Sequence, residues 1–347
     1  MSSKQFGGKP TKELIAQYRQ SPNWKNNRFQ NLEETRLHIS LSKMPGILYR
    51  QFTGKSGREP ARPLPIATLD SEAFLQQGNA PQMVWYGHSV ILLRLKGKTL
   101  LIDPMLGPNA SPIGPITIKR FSENTLGLID QFPEIDLMLL THDHYDHLDY
   151  DSIQKLKPKT RQYLVALGVK RHLVRWGVDP ALITEMDWWD QTTFHNIIIH
   201  FTPSRHFSGR GISDRSKSLW GGWALKTESQ SLWFSGDGGY GSHFAEIGKR
   251  LGPFDFAWLE CGQYNEHWRQ IHMFPEECIQ AANDAGAKVI MPVHWAAFSL
   301  AQHSWKEPVD RFVAAARKLG VDYIIPAPGQ LTPLQTGGGY DWWKGIG

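Results

Sequence analysis

A cluster of four ligand-type side chains follows an apolar run near the middle of the 347-residue chain. The run Leu137–Leu140 has the length of a strand, and His142, His144, Asp146 and His147 follow it closely. So short a span fits a loop that leaves a strand. A His-x-His-x-Asp-His pattern arises by chance in about one chain of this composition in a thousand. The sequence therefore predicts a metal site here, with a solvated polar loop as the alternative.

The composition is that of a globular protein with a sizeable core. Hydrophobic residues make up 41% of the chain and charged residues 20%, which excludes a disordered chain. The net charge is +5, but the basic residues form no run, so a solvated surface is expected and a nucleic-acid partner is not. With only Cys261 and Cys278, the chain cannot build a thiolate zinc cage. Any metal must be held by imidazole and carboxylate groups.

The chain contains no recognisable targeting or membrane-spanning segment. Neither a secretion signal near the N-terminus nor an apolar run of membrane-span length is present, so a cytoplasmic protein is expected. Contact with a membrane surface is left open, because no amphipathic anchor or basic cluster is visible. Association into a homo-oligomer is also left open.

The organisation of the chain changes near residue 62. Residues 1–62 are polar and interrupted by glycine and proline, which predicts an N-terminal extension packed on the main domain, with one short helix near Lys12–Arg19. In residues 63–347, strand and helix patterns interleave, which predicts one α/β domain of two sheets flanked by helices. Within it, a helix is expected over Tyr150–Leu156 with Asp149 as its N-cap.

Three further polar residues each end a later apolar run. His206, Asp237 and His294 follow strand-like segments in this way. Taken singly, each is more simply explained as a loop residue. As a set that follows the His-x-His-x-Asp-His cluster, they indicate additional metal ligands.

The order of these seven residues resembles that of the metallo-β-lactamase superfamily of hydrolases. Within it, the surrounding sequence is similar to the branch that contains N-acyl-phosphatidylethanolamine-hydrolysing phospholipase D and its bacterial relatives. The segments that carry the resemblance are Trp85–Ser89, Thr202–His206, Leu219–Trp223, Ser235–Tyr240, Ile271–Glu277 and Pro292–Trp295.

The resemblance implies a four-layer αββα sandwich of two mixed sheets, with two divalent metal ions at one edge of the sheets. Zinc is expected, and iron and manganese are alternatives because they accept the same nitrogen and oxygen ligands. In relatives of this kind a metal-bound hydroxide is the nucleophile. The resemblance assigns His142, His144 and His206 to one ion, Asp146, His147 and His294 to the second, and Asp237 to both.

The resemblance also suggests residues that support the site. Asp146 is expected to take or orient a proton, and Asp103 to orient a ligating imidazole, with a strand-end turn cap as the alternative for Asp103. Histidines near the pocket are expected to orient substrate or donate a proton, and these are His88, His272 and His303. An apolar wall, for which core packing is an equal alternative, is expected from Tyr264, Trp268, Trp295 and Phe298.

These features predict a metal-dependent hydrolase, most simply a phosphodiesterase of the phospholipase D type. Its substrate would be a small-molecule or phospholipid-like ester. A hydrolase of lactones or other carboxylic esters is the alternative, because the same metals serve carbonyl substrates in this superfamily. A metal-stabilised scaffold protein is the non-enzymatic alternative, and the complete set of seven ligands argues against it.

Overall fold

The computed structural model describes residues 4–36, 57–76, 80–111, 117–211, 213–334 and 341–346. Of the predicted extension, residues 1–3 and 37–56 lie outside the described part of the chain. The remainder begins with helix α1 (Lys12–Tyr18), capped by the Thr11 side chain, which accepts a hydrogen bond from the backbone of Leu14. A short hairpin follows, formed by β1 (Trp24–Lys25) and β2 (Arg28–Phe29).

The first large sheet contains seven strands that begin after helix α2 (Ser71–Leu75). In chain order these are β3 (Gln82–Trp85), β4 (Ile91–Leu95), β5 (Lys98–Ile102), β6 (Leu137–Leu140), β7 (Tyr163–Ala166), β8 (Ile183–Met186) and, near the C-terminus, β16 (Leu331–Pro333). Their spatial order is β16-β3-β4-β5-β6-β7-β8. Pairing is antiparallel from β16 to β5 and parallel from β5 to β8.

The second large sheet also contains seven strands. In chain order these are β9 (Gln191–Phe194), β10 (Ile197–Thr202), β11 (Gly222–Lys226), β12 (Ser231–Phe234), β13 (Phe254–Glu260), β14 (Ala287–Val293) and β15 (Asp322–Tyr323). Their spatial order is β15-β14-β13-β12-β11-β10-β9. Here too one half of the sheet is antiparallel and the other, from β12 to β15, is parallel.

The two sheets pack face to face and helices cover their outer faces. The inner strands of each sheet are buried along nearly their whole length, as β6 of the first sheet and β13 of the second show, because both faces are covered. Across the interface, the indole nitrogen of Trp258 lies 3.0 Å from the sulfur of Met83. The longer flanking helices are α3 (Tyr150–Leu156), α4 (Lys170–Arg175), α5 (His243–Leu251), α6 (Pro275–Ala285) and α7 (Glu307–Leu319).

The predicted fold class, a four-layer sandwich of two mixed sheets, is confirmed. So is the prediction that Asp149 caps α3, since its carboxylate accepts from the backbone of Ser152 at 2.8 Å. The sequence reading missed β1, β2, β8, β9, β16 and α2, which are all short. Short elements carry too few residues for a periodic pattern to stand out.

Among the described residues, no helix is both long enough and apolar enough to cross a lipid bilayer.

Candidate metal centre

The first group of predicted ligands converges at the carboxyl end of β6. The Nε2 atom of His142 lies 3.0 Å from Nδ1 of His144, and Nε2 of His206 lies 3.1 Å from the same atom. Ligand atoms around a tetrahedral zinc ion, with bonds near 2.0–2.1 Å, lie about 3.3 Å apart. The three nitrogens therefore have a spacing that suits one ion.

The second group lies beside the first, and Asp237 joins them. The Oδ2 atom of Asp237 is 3.0 Å from Nε2 of both His147 and His294, and 3.9 Å from Nε2 of His142. Oδ2 of Asp146 is 3.3 Å from Nε2 of His294 and 3.7 Å from that of His147. One carboxylate oxygen thus faces nitrogens of both groups, as a bridging ligand would.

Hydrogen bonds on the far side of each ring fix which nitrogen faces the centre. Nδ1 of His206 donates to the carbonyl of Ile271 at 3.0 Å, so its Nε2 carries the lone pair. Nδ1 of His147 lies 2.8 Å from Asp103, with the same consequence. These outer partners prepare the imidazoles for metal binding.

Asp103 acts on two rings at once. Its Oδ2 accepts from the hydroxyl of Thr141 at 2.6 Å as well as from His147, and Oδ1 accepts from the Thr141 backbone at 2.9 Å. The Thr141 oxygen in turn lies 2.9 Å from Nδ1 of His142. One buried carboxylate thereby contacts His147 directly and His142 through Thr141, which is one ring from each group.

The donor set fits metal ions. Among the described residues, Oδ1 of Asp237 is buried and has no hydrogen-bond partner. Buried polar atoms are otherwise nearly always paired, so this carboxylate oxygen points to a missing partner of positive charge. Five imidazoles and two carboxylates suit zinc, iron or manganese, and would hold them through His142, His144, His206, Asp146, His147, His294 and Asp237.

The electrostatics of the centre divide the histidines into two kinds. Burial and the neighbouring charge of His147 lower the pKa of His142, and burial lowers the pKa of His88 to about 3. For His147 burial acts in the same direction, but Asp237 and Asp146 outweigh it and raise its pKa to about 10. The carboxylates of Asp237 and Asp146 thus favour a positive charge at the position of His147. A bound metal ion would supply this charge.

His88 lies closer to the centre than a purely supporting residue would. Its Nε2 is 3.0 Å from Oδ2 of Asp146, and its ring stacks on His294 with centroids 4.1 Å apart. It could join Asp146, His147 and His294 around one ion.

The backbone is unusual where the two sheets meet at the site. His88, Asp103 and His294 have φ values of 53°, 41° and 69°, a left-handed region that side chains with a Cβ rarely adopt. The loops also bond to each other: the His88 amide donates to the Trp295 carbonyl, and the His294 amide donates to the His88 carbonyl. Such conformations cluster at functional sites, where the surrounding structure holds them.

Glu260 is a site residue that the sequence analysis missed. It is the last residue of β13 and is fully buried. Its Oε1 lies 3.0 Å from Nδ1 of His272 and 3.5 Å from Nδ1 of His294, and Oε2 accepts from the Met273 backbone at 3.0 Å. The signal was present, because Glu260 ends an apolar run just as Asp237 and His294 do.

Asp143, between the first two histidines of the motif, was also missed. Its buried carboxylate lies 3.1 Å from Nε2 of His172, accepts from the Ser218 hydroxyl at 2.6 Å, and accepts from the Gly209 amide at 2.7 Å. Arg171 lies 3.5 Å away. These contacts hold the loop that carries His142 and His144 in place.

Some of the remaining predicted residues lie at the metal centre, and others lie away from it. His272 reaches it, with its ring 5.0 Å from that of His206, and Phe298 packs edge-on against His88 at 5.3 Å. Trp295 is 1% exposed and packs against Trp85, so its ring belongs to the core.

His303, Tyr264 and Trp268 form contacts away from the seven candidate ligands. The ring of His303 stacks on that of Tyr264 at 4.4 Å, and its Nδ1 donates to the Ser304 carbonyl. The Tyr264 hydroxyl donates to Glu307 at 2.6 Å, and the Trp268 indole donates to the Gln263 carbonyl at 2.8 Å.

The fold and the centre together define a class: an α/β sandwich whose strand ends carry a buried cluster of imidazoles and carboxylates. A family model described as the beta-lactamase superfamily domain matches residues 98–295. The match covers more than half of the chain and includes all seven candidate ligands. The chain belongs to the metallo-β-lactamase superfamily and has the fold of its metal-dependent hydrolases.

Two curated relatives and one solved structure illustrate the similarity. An uncharacterized protein of Mycobacterium tuberculosis is 36% identical over 94% of this chain and 88% of its own length. N-acyl-phosphatidylethanolamine-hydrolyzing phospholipase D 1 of Caenorhabditis elegans is 30% identical over 72% of this chain and 73% of its own. The metallo hydrolase Igni18 of Ignicoccus hospitalis superposes with a TM-score of 0.57 at 18% identity, over 74% of this chain and all of that one.

Proposed function

We propose that this protein is a phosphodiesterase that uses two divalent metal ions, which we take to be zinc. The observation that carries the proposal is the position of Asp237 Oδ2, which faces His142 of one histidine group and His147 and His294 of the other. Two ions about 3.5–4 Å apart are a recurrent arrangement in phosphate-ester hydrolysis. The similarity to a phospholipase that hydrolyses N-acyl-phosphatidylethanolamine supports a phosphodiester substrate.

The ions would be held by the two histidine groups described above. When bound, such ions supply Lewis acidity and lower the pKa of a coordinated water. A phosphodiester is an anion, so the buried positive charge also favours its binding over that of a neutral ester.

The residues of the chain supply the remaining roles. Nδ1 of His272 lies 3.0 Å from Oε1 of Glu260, and His272 lies near His206 and Asp237. The Glu260 carboxylate favours the imidazolium form of this ring, which we assign to donate its Nε2 proton to the departing oxygen. Asp146 is placed to orient or accept a proton at the centre, beside His88. His303 keeps an unpartnered Nε2 among the described residues and is assigned to substrate orientation.

The proposal is tested by metal analysis combined with turnover assays. We expect two ions per chain and hydrolysis of bis(4-nitrophenyl) phosphate that is lost with a chelator and restored by zinc. Turnover of lactones but not of the phosphodiester would instead identify a carboxylic-ester hydrolase. Stoichiometric metal without turnover of either substrate would identify a scaffold.

The role of Asp146 is tested separately with Asp146→Asn. We expect kcat to fall at least about a hundredfold, because proton transfer by a positioned group contributes roughly 10²–10⁴-fold. The metal content of the variant is measured alongside its kcat. Full metal occupancy with full turnover would remove Asp146 from the mechanism.

A further inference from the structure

A cavity lies beside the metal centre, between the hairpin of the extension and the main domain. Its volume is about 600 Å³, which is large enough for a small organic group. Basic side chains and the edge of the candidate metal centre line it, among them Lys25, Arg28, Arg36, Arg215, His206 and Phe207.

The acidic residues of this cavity are already engaged. Glu34 pairs with Arg36 at 2.5 Å, and Glu33 accepts from the Ser242 hydroxyl at 2.6 Å and lies 3.6 Å from Arg205. The hydrogen bonds from Ser242 lower the pKa of Glu33, so it stays ionised. These carboxylates are therefore not available to the other cations of the cavity.

Three cations remain without a counter-charge. Among the described residues, Lys25, Arg28 and Arg215 form no ion pair with any carboxylate, and the rest of the chain contains neither aspartate nor glutamate. Burial and the nearby charge of Arg28 lower the pKa of Arg215, which shows that the two guanidinium groups feel each other. An anion between them would relieve this repulsion.

Phe207 connects the cations to the metal centre. Its ring packs on His144 with centroids 4.6 Å apart and on His206 at 4.9 Å. The guanidinium carbon of Arg215 lies 4.3 Å from the centroid of the same ring. One aromatic ring thus separates the cationic group from a candidate ligand. A substrate whose ester lies at the metal centre can extend past Phe207 into this cavity.

We propose that Lys25, Arg28 and Arg215 form a subsite for a second anionic group of the substrate, such as a phosphate monoester, carried by the ester group that stays on the phosphorus after hydrolysis. This proposal rests on the phosphodiesterase function proposed above and names a class of substrate for it. The hairpin of the N-terminal extension then contributes directly to specificity, because it supplies two of the three cations. Planar guanidinium groups suit a phosphate, which they can bind through two hydrogen bonds each.

The test compares 4-nitrophenyl phosphoglycerol with the same compound bearing a phosphate on the terminal hydroxyl. We expect the wild type to have the higher kcat/KM for the phosphorylated compound, mainly through a lower KM. In the double variant Arg28→Gln/Arg215→Gln this preference falls about tenfold. Both arginines are exposed, so the variant is expected to fold. An unchanged preference ratio overturns the proposal.

A charge-matched control separates local binding from long-range attraction. The variant Arg175→Gln/Lys318→Gln removes two exposed cations that do not line the cavity, and it should keep the wild-type ratio. A loss of preference in this control equal to that in Arg28→Gln/Arg215→Gln would show a general charge effect and overturn the subsite.

Direct binding separates the failure of the subsite from the failure of the proposed function. Calorimetric titration of the metal-loaded protein with glycerol 3-phosphate should give a dissociation constant about tenfold weaker in Arg28→Gln/Arg215→Gln, whether or not any phosphodiester is hydrolysed. Equal binding overturns the subsite. Phosphatidylcholine vesicles with and without phosphatidic acid test whether the anionic group belongs to a lipid. If Arg28 and Arg215 are needed for the protein to bind phosphatidic acid vesicles, and glycerol 3-phosphate does not bind, a subsite for a water-soluble phosphate monoester is overturned.

Discussion

At the residue scale, Glu260 is a buried carboxylate that serves two imidazoles. It lies against Nδ1 of both His272 and His294, and it also binds the backbone at Met273. We expect Glu260→Gln, which keeps the size of the side chain, to lower kcat/KM or metal affinity about 10–100-fold, as is typical for outer partners of ligating histidines. The measurements are a chelator competition and a pH profile of kcat.

The pH profile identifies the role of Glu260. If Glu260 acts on catalysis through the histidines beside it, the pH profile of kcat should change in the Gln variant, which a purely structural role would not cause. Asp255→Asn is the matched control, because Asp255 lies on the same strand but faces solvent beside Lys288. Wild-type metal affinity and an unshifted profile in Glu260→Gln would contradict the assignment.

His243, the first residue of α5, couples stability to pH outside the metal centre. Burial lowers its pKa to about 3, against an ordinary value of 6.5, and Glu33 opposes this only in part. Between these values the unfolded chain binds a proton that the folded chain does not, so stability falls as pH drops below 6.5. The slope is at most about 1.4 kcal/mol per pH unit for this one group.

We therefore expect His243→Gln to flatten the decline in the free energy of unfolding between pH 6.5 and pH 5. Urea unfolding of the wild type and the variant at several pH values measures the difference. The exposed His195 serves as a control, since His195→Asn should leave the slope unchanged. An equally steep decline in His243→Gln would show that its buried ring does not govern this range.

At the scale of elements, the hairpin β1–β2 is tied to the loop that carries His206. Its aromatic residues Trp24 and Phe29 pack edge to face at 4.9 Å, which anchors the hairpin. Just beyond β2, the amide group of Asn31 donates to the His206 carbonyl at 2.8 Å and accepts from the His206 amide at 3.0 Å. Its oxygen also accepts from the indole of Trp220 at 3.0 Å.

We expect Asn31→Ala to loosen this loop, with a loss of about 1–3 kcal/mol of stability from the groups left unpaired. Metal affinity should fall as well, because His206 loses its fixed position. Chelator competition and urea unfolding measure the two effects. Gln30→Ala is the control, since the side chain of Gln30 donates to the Lys25 carbonyl within the hairpin and, among the described residues, has no hydrogen bond to the loop of His206. Unchanged metal affinity in Asn31→Ala would contradict the coupling.

The elements also show what a sequence can and cannot reveal. Long strands that end in a polar residue were readable, which is why His206, Asp237 and His294 could be grouped with the first motif. Glu260 carries the same signal, but no motif drew attention to it. The approach of His303 to Tyr264 depends on the path of a loop, and loops have no period to read.

The contacts between the N-terminal extension and the metal centre could not be predicted from the sequence, for a similar reason. Strands of two residues leave no pattern, and the contact between Asn31 and His206 joins residues far apart in the chain. The boundary near residue 62 stays a prediction. The described part of the extension contacts the loop that carries His206 through Asn31.

At the scale of the whole molecule, the candidate metal centre lies on the seam between the two sheets. The first motif follows β6 of one sheet, while His206, Asp237 and His294 follow strands of the other. Ions that bind the folded chain alone stabilise it by about 4 kcal/mol when their concentration is a thousand times the dissociation constant. Chelation should therefore lower the free energy of unfolding by about this amount.

Urea unfolding before and after treatment with a chelator tests this expectation, with zinc added back to restore stability. Asp237→Asn is the matched variant, because it removes charge from the carboxylate that faces both groups. The stabilising effect of zinc should be smaller in this variant. Unfolding that is insensitive to the chelator, in protein shown to contain metal, would contradict a centre that joins the sheets.

The positions of the candidate ligands along the chain also determine the order in which they leave the ribosome during synthesis. A ribosome releases His142, His144, Asp146 and His147 long before His294, which follows β14. An ion that arrives early meets a nascent chain with an incomplete set of ligands. The complete centre forms only when β14 has paired with β13 and the second sheet has docked on the first. We therefore expect metal loading to be a late step in the biogenesis of this protein, after its two sheets have docked.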